Sequence, residues 1–212
     1  NTRSRGLGDV YKRQVFDIQD VGARFYTYIS TLHYVMEACA ENSIPVLVLD
    51  RPNPNAHYVD GPVLDTAFKS FVGMHPIPIV HGMTLAEYAQ MINGEYWLKD
   101  SVQCELYWQG MKNYDHQKSY NLPIKPSPNL PNSQSIALYP SLCLFEGTDM
   151  SVGRGTSQQF QVIGSPKLDS CFYAFTPISR QGAKYPKHEN KDCCGWDLRD
   201  IEVQNKVDLE YL

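Results

Sequence analysis

The sequence predicts an α/β protein built on a parallel sheet, and three stretches carry that prediction. Residues 15–18 read as the end of a buried strand. Residues 24–42 place Ile29, Leu32, Val35, Met36, Cys39 and Ala40 on one helical face. Residues 46–50 are an apolar strand that ends in Asp50. Strand, helix and strand at this spacing form a parallel, right-handed βαβ unit.

Both strands end in polar clusters, Asp17, Gln19 and Asp20 after the first and Asp50, Arg51 and Asn53 after the second. Ligands of open parallel sheets bind beyond the carboxyl ends of the strands, so both clusters are expected on the functional edge. The aspartates equally fit turn and cap chemistry. No G-x-G-x-x-G follows either strand, which argues against a dinucleotide site. Gly153, Arg154 and Gly155 follow no predicted strand and are no substitute.

Residues 52–78 are rich in loop signals, with short extended pieces at 58–63 and 77–80. His81 and Gly82 precede Thr84 and Glu87, a capping box that opens a second helix with Leu85, Tyr88, Ala89 and Ile92 inward. Asn93 and Gly94 are its stop signal. Residues 103–108 read as a strand. Residues 111–131 are polar and proline-rich, fitting either a linker or a cleft wall. A helix is expected over 133–145, a short strand over 158–163, a helix or strand over 168–175, and weak strand signals near 195–203. The 212 residues suit one large domain or two small ones.

Residues 144–156 form the densest chemical stretch. An apolar run ends in Glu146, and Gly147, Gly153 and Gly155 alternate with hydroxyl residues and Arg154. Glycines this dense let a ligand approach the backbone, and a carboxylate and a guanidinium on one turn can act on one small polar ligand. A helix C-terminus followed by an ordinary turn explains the same pattern.

Net charge is -4 with 20% charged residues, which is no nucleic-acid footprint. No run of 18 apolar residues is present to span a membrane. The 14 Tyr, 8 Phe and 3 Trp suit sugar clefts and ordinary cores alike. Cys39 and Cys143 fall on apolar helix faces as core thiols, and adjacent Cys193 and Cys194 lack zinc-site spacing, so the six cysteines do not fix a redox compartment. No cofactor or metal is expected. Residues 1–14 are basic and without apolar periodicity, and no signal-peptide core follows them. Residues 9–14 back-translate into a sequence that resembles a transposon end used as a sequencing adapter. Residues 1–14 are therefore expected to be foreign, joined to an internal piece of a gene.

Six motifs, in this order, resemble one family. They are residues 15–28 (Val-Phe-Asp-Ile-Gln-Asp-Val-Gly-Ala-Arg-Phe-Tyr-Thr-Tyr), 49–54 (Leu-Asp-Arg-Pro-Asn-Pro), 60–63 (Asp-Gly-Pro-Val), 78–84 (Pro-Ile-Val-His-Gly-Met-Thr), 126–129 (Pro-Ser-Pro-Asn), and 144–148 (Leu-Phe-Glu-Gly-Thr) with 153–156 (Gly-Arg-Gly-Thr). Together they resemble the exo-β-N-acetylmuramidases of the NamZ/YbbC type. The resemblance implies a glycoside hydrolase that frees N-acetylmuramic acid from non-reducing ends of peptidoglycan fragments. It further implies a Rossmann-like subdomain, here over 15–125, a smaller α+β C-terminal one over 126–212, an active-site cleft between them and an exported or wall-recycling enzyme. The first part of the Rossmann-like subdomain is expected to be missing here.

Glycoside hydrolysis usually needs two carboxyl groups. Glu146 is the expected general acid/base, and Asp17, Asp20 or Asp50 at the strand ends is expected to supply the second carboxylate, with Asp17 and Asp20 named as its catalytic partners. Arg24, Arg51 and Arg154 are candidates for the lactyl carboxylate of muramic acid. Tyr26, Asp50, Asn53, His81 and Asn129 complete the expected substrate-binding set. A wall-sugar-binding module without catalysis is the alternative, and a nucleotide-binding domain is disfavoured by the absent phosphate loop.

Overall fold

The computed structural model describes residues 12–210. A parallel sheet in the order β1-β2-β3 consists of β1 (Gln14–Phe16), β2 (Val46–Leu49) and β3 (Leu106–Gln109). Phe16 pairs with Val48, and Val48 with Trp108. Helix α1 (Tyr28–Glu41) crosses from β1 to β2, as the βαβ pattern requires, and α2 (Leu85–Gly94) lies between β2 and β3 in the chain. Their apolar faces meet the sheet in one core: Ile29, Leu32, Met36, Val46, Val48, Leu85, Tyr88, Ala89 and Ile92. The capping box of α2 forms, with the Thr84 hydroxyl accepting from the Glu87 N–H and Glu87 accepting from the Thr84 N–H. Val35 and Ala40, expected inward, are only partly buried at the edge of this core.

Helix α1 starts four residues later than its periodicity predicts. The Arg24 N–H donates to the Ile79 carbonyl at 2.8 Å, and Ala23 bridges to Val80. Tertiary pairing thus holds Ala23 in a β-bridge, and a turn closed by the Tyr26 N–H on Ala23 O at 2.8 Å intervenes before the helix. Residues 1–11 of the expected foreign peptide lie outside the described residues. Gln14 opens β1, its N–H donating to Pro45 O at 2.9 Å. Strand β1 has β2 as its one neighbour among the described residues, and Val15 is 46% exposed.

The second core gathers around α3 (Ser133–Leu142). Ile136, Leu138, Tyr139 and Leu142 pack on Phe160 and Ile163, and on Val21 and Ala23 from the turn after β1. An antiparallel sheet in the order β4-β6-β5 backs it, made of β4 (Val162–Ser165), β5 (Tyr173–Phe175) and β6 (Cys193–Asp197). Residues 158–161, expected in β4, turn instead: the Gln161 N–H bonds to Gln158 O. The predicted helix over 133–145 ends at Leu142, and a 3-10 turn, Cys143–Gly147, replaces its last part.

Pro140 sits inside α3 and has no N–H for the Ile136 carbonyl. Asn55 supplies the missing donor: its Nδ2 reaches Ile136 O at 3.2 Å and Val21 O at 2.9 Å. One buried amide therefore joins the turn after β1, the loop after β2 and α3. Cys171 and Cys194 form a disulfide between the loop before β5 and β6, a pairing the sequence left open. Cys39 is a buried thiol, as expected; Cys143 is only partly buried.

Candidate active site

The strand-end clusters converge as predicted, but most of their polar atoms are spent on the scaffold. Asp50 Oδ1 accepts from the Ala86 N–H at 3.0 Å, so it serves the exposed N–H groups that open α2. Burial pushes its carboxyl above the usual range, opposed by that hydrogen bond and one from Thr84. Asn53 accepts from the Asn55 N–H at 2.8 Å and donates to Met83 O at 2.9 Å. Gly22 lies flat on that amide: its φ is +77°, and a Cβ would fall 2.3 Å from Asn53 Oδ1. Only glycine fits there. Arg24 donates to the carbonyls of Pro62, at 2.8 Å, and Ile77, clamping two loops. Tyr26 donates its hydroxyl to Pro126 O at 2.9 Å, which ties the 126–129 motif to the turn after β1. Arg24, Asp50 and Asn53, expected to bind substrate, thus hold the frame through these contacts.

Asp20 and His81 form a buried pair, each 5% exposed. Asp20 Oδ2 accepts from the Gly22 N–H at 2.7 Å and lies 3.7 Å from His81 Nε2. Asp20 Oδ1 and His81 Nε2 have no hydrogen-bond partner among the described residues. Behind them Tyr88 hydrogen-bonds His75 at 2.7 Å, and His75 hydrogen-bonds His33 at 3.0 Å. Asp17 is different: it is open, and its Oδ1 takes the Arg51 Nε at 2.6 Å with both side chains 43% exposed. This pair lines a cleft of about 380 Å³ with Tyr28, Tyr120, Pro123 and Lys125. The proline-rich segment is therefore a cleft wall, one of the two readings its composition allowed.

Glu146 and Arg154 meet as the glycine spacing predicts. The Arg154 Nε donates to Glu146 Oε1, and its Nη2 to Oε2 at 3.2 Å. The Cys143 thiol adds a third donor, 3.4 Å from Oε2. Burial, then the Glu146 charge, pushes that thiol up to about 12, so it stays a donor. The guanidinium also lies 4.9 Å over the Phe160 ring. The pair lines a second cleft of about 390 Å³ with Met150, Ser151 and residues 182–187. Two expectations change here. Glu146 sits in a 3-10 turn rather than at the end of an α-helix, and its carboxyl accepts from Arg154 and from the Cys143 thiol. Glu146 and Asp17 also line separate clefts, and Glu146 is the one acid among the described residues lining its own.

The pattern of the chain decides its kinship. The profile described as "Exo-beta-N-acetylmuramidase NamZ, N-terminal" matches residues 9–134. The corresponding C-terminal profile matches residues 137–210. The chain belongs to the NamZ family. It is 47% identical over 161 residues to the peptidoglycan beta-N-acetylmuramidase NamZ of Bacillus subtilis (strain 168), covering 74% of this chain and 38% of that relative. Two crystal structures of DUF1343 family proteins from Bacteroides fragilis NCTC 9343 are similar across 93% of this chain. One is 53% identical with a TM-score of 0.90 and is covered over 58% of its length. The other is 30% identical with a TM-score of 0.77 and is covered over 54%. The chain thus spans between about two fifths and three fifths of the relatives it matches. The α/β, Rossmann-like reading agrees with this likeness, and the seam between the two profiles falls at 134–137, just inside α3.

Asn129, expected to bind substrate, instead donates from Nδ2 to Gly182 O at 2.9 Å and holds the rim of the Glu146 cleft. Asn55, Lys184, Tyr185 and Lys187 were not singled out from the sequence, and Cys143 was read only as a core thiol. Pro140 inside a helical pattern was the available signal for Asn55, because it frees one buried carbonyl. Lys187 had none, since its carbonyl partners lie 39 and 41 positions away.

Proposed function

We propose that the chain is part of a glycoside hydrolase that releases N-acetylmuramic acid from the non-reducing ends of peptidoglycan fragments. The observation that carries this reading is the match to both halves of the family together with the folding of its two Gly-rich motifs into one cleft around Glu146 and Arg154. Glu146 supplies one of the two carboxyl groups such hydrolysis requires. Arg154 and the Cys143 thiol fix its orientation at the cleft, where it serves as general acid/base, nucleophile or oxocarbenium stabiliser. Asp17 lines a separate cleft, so of the two named strand-end partners Asp20 is the one carried forward as a candidate for the second carboxyl group. The disulfide between Cys171 and Cys194 supports an exported protein, since such bonds persist in oxidising compartments. Among the described residues no helix is long and apolar enough to cross a membrane.

The test is release of N-acetylmuramic acid from a chromogenic N-acetylmuramide and from peptidoglycan fragments by this sequence extended to the length of its relatives. No release from either substrate refutes the reading. Leaving-group dependence separates the roles of Glu146. If it is base, nucleophile or stabiliser, Glu146→Gln lowers turnover on good and poor leaving groups alike. Rescue by good leaving groups alone assigns it the role of acid.

A further inference from the structure

The wall that faces Glu146 is fixed at both ends and bare in the middle. At one end Arg180 and Ala183 exchange two backbone hydrogen bonds of 3.0 Å around a tight turn. Gly182 has φ +84° there and lies against Pro128, where a Cβ would come within 2.8 Å. Asn129 holds the Gly182 carbonyl. At the other end the Lys187 Nζ donates to the carbonyls of Glu146, at 2.9 Å, and Thr148, and His188 bonds to Asp149 O at 2.6 Å. Between these anchors Tyr185 is 80% exposed at the cleft, and its one ring partner among the described residues is the Lys184 ammonium, 5.3 Å from the ring centroid.

A large aromatic ring on a fixed frame at a cleft mouth exposes a flat apolar face with a polar tip, the shape that a pyranose ring covers. The charges add a second requirement. Arg154, Lys184 and Lys187 line the cleft against Glu146 alone. Arg154 is held by Glu146 and Lys187 by two carbonyls, whereas Lys184 has no carboxylate partner among the described residues. An exposed cation–π contact holds an ammonium only weakly, so Lys184 is the cation available to an incoming anion.

We propose that the 180–187 segment is the specificity wall of this cleft. Tyr185 takes the face of a pyranose ring, and Lys184 takes the carboxylate carried by that sugar. This rests on the muramidase reading, under which the carboxylate is the lactyl group that N-acetylglucosamine lacks. Asn129 acts through Gly182 as a positioning residue for the wall.

Calorimetric titration of the 212-residue chain with N-acetylmuramic acid and with N-acetylglucosamine tests this. The unsubstituted chain binds N-acetylmuramic acid more tightly. Lys184→Gln lowers that affinity to the level of N-acetylglucosamine, and Tyr185→Ala weakens both sugars by about tenfold. Both side chains are exposed, so the melting temperatures of the variants match that of the parent. Unchanged affinities in both variants overturn the inference, as does a parent chain that binds neither sugar or does not discriminate between them. Activity separates this from failure of the functional reading. If the extended protein releases N-acetylmuramic acid while both variants retain parental affinities and rates, only the role of the wall falls. If the parent releases none, the reading itself falls.

Discussion

The two polar regions of this protein are built on opposite plans. At the ends of β1 and β2, Asp20, Asp50 and Asn53 are turned inward and meet backbone N–H groups, carbonyls or His81. At the 3-10 turn after α3, Glu146 faces an open cleft and is held by side chains, Arg154 and Cys143. The difference teaches where substitutions act. A side chain that satisfies buried backbone groups affects folding first. A side chain held by other side chains at a cleft affects chemistry first, since water can replace its partners.

The largest effect expected from this contrast is on turnover. In the sequence extended to family length, Glu146→Gln lowers the rate by on the order of 10²–10⁴ while the melting temperature of the chain stays within a few degrees of the parent. Steady-state kinetics beside thermal unfolding check it, and a large loss of stability with little loss of rate would erase the contrast. Asn55→Ala is the mirror case. It strips the carbonyls of Val21 and Ile136 of a buried donor, at a cost of about 2–4 kcal/mol, read from urea unfolding. A cost below about 0.5 kcal/mol would mean that water satisfies both carbonyls.

Asp20 sharpens the comparison because it shares features of both regions. Asp20→Ala leaves the Gly22 N–H buried without its acceptor and costs about 1–3 kcal/mol. Asp20→Asn keeps an acceptor oxygen and retains most of that stability. If Asp20→Asn also abolishes turnover, Asp20 serves chemistry as well as scaffold.

The buried histidines give the next effect. Burial, then His33 and Lys69, push His75 down to about 3, and burial pushes His33 down against the pull of Glu37. His75 faces Tyr88 from α2 and stacks on Trp97, and neither offers it a negative charge. An unfolded histidine titrates near 6.5, so between about 6.5 and 3 the unfolded chain binds more protons than the folded one. Stability therefore falls as pH falls through that window, on the order of 1 kcal/mol per pH unit. His75→Gln flattens this slope; an unchanged slope in urea midpoints between pH 7 and pH 5 would assign it to other groups. The smallest effect is at the open strand-end pair. Asp17→Asn removes a half-exposed ion pair with Arg51 and costs under about 1 kcal/mol. A larger loss would place Asp17 with the scaffold aspartates.

Much of this architecture was legible in the chain. Apolar spacing fixed α1, α2 and the parallel pair of β1 and β2, because helix and strand periodicities leave different marks on local sequence. Thr84 and Glu87 announced the start of α2, since a capping box is complete within four residues. Glu146 and Arg154, eight residues apart across glycines, were legible as neighbours for the same local reason.

What tertiary structure decided was the use to which each polar group is put. Local sequence could not show that Asp50 would meet Ala86, Asn55 would meet Ile136, Asn129 would meet Gly182, or Lys187 would close on Glu146. These contacts join residues 36 to 81 positions apart, and a buried polar atom takes whichever partner the packed chain brings within about 3 Å. The start of α1 yielded to the same rule when Arg24 and Ala23 paired with Ile79 and Val80. Sequence alone thus determined the elements and the one local Glu–Arg pair. Packing decided which carboxylates became scaffold and which stayed open to a ligand, because the demand of buried backbone for partners outranks the local preference of any side chain.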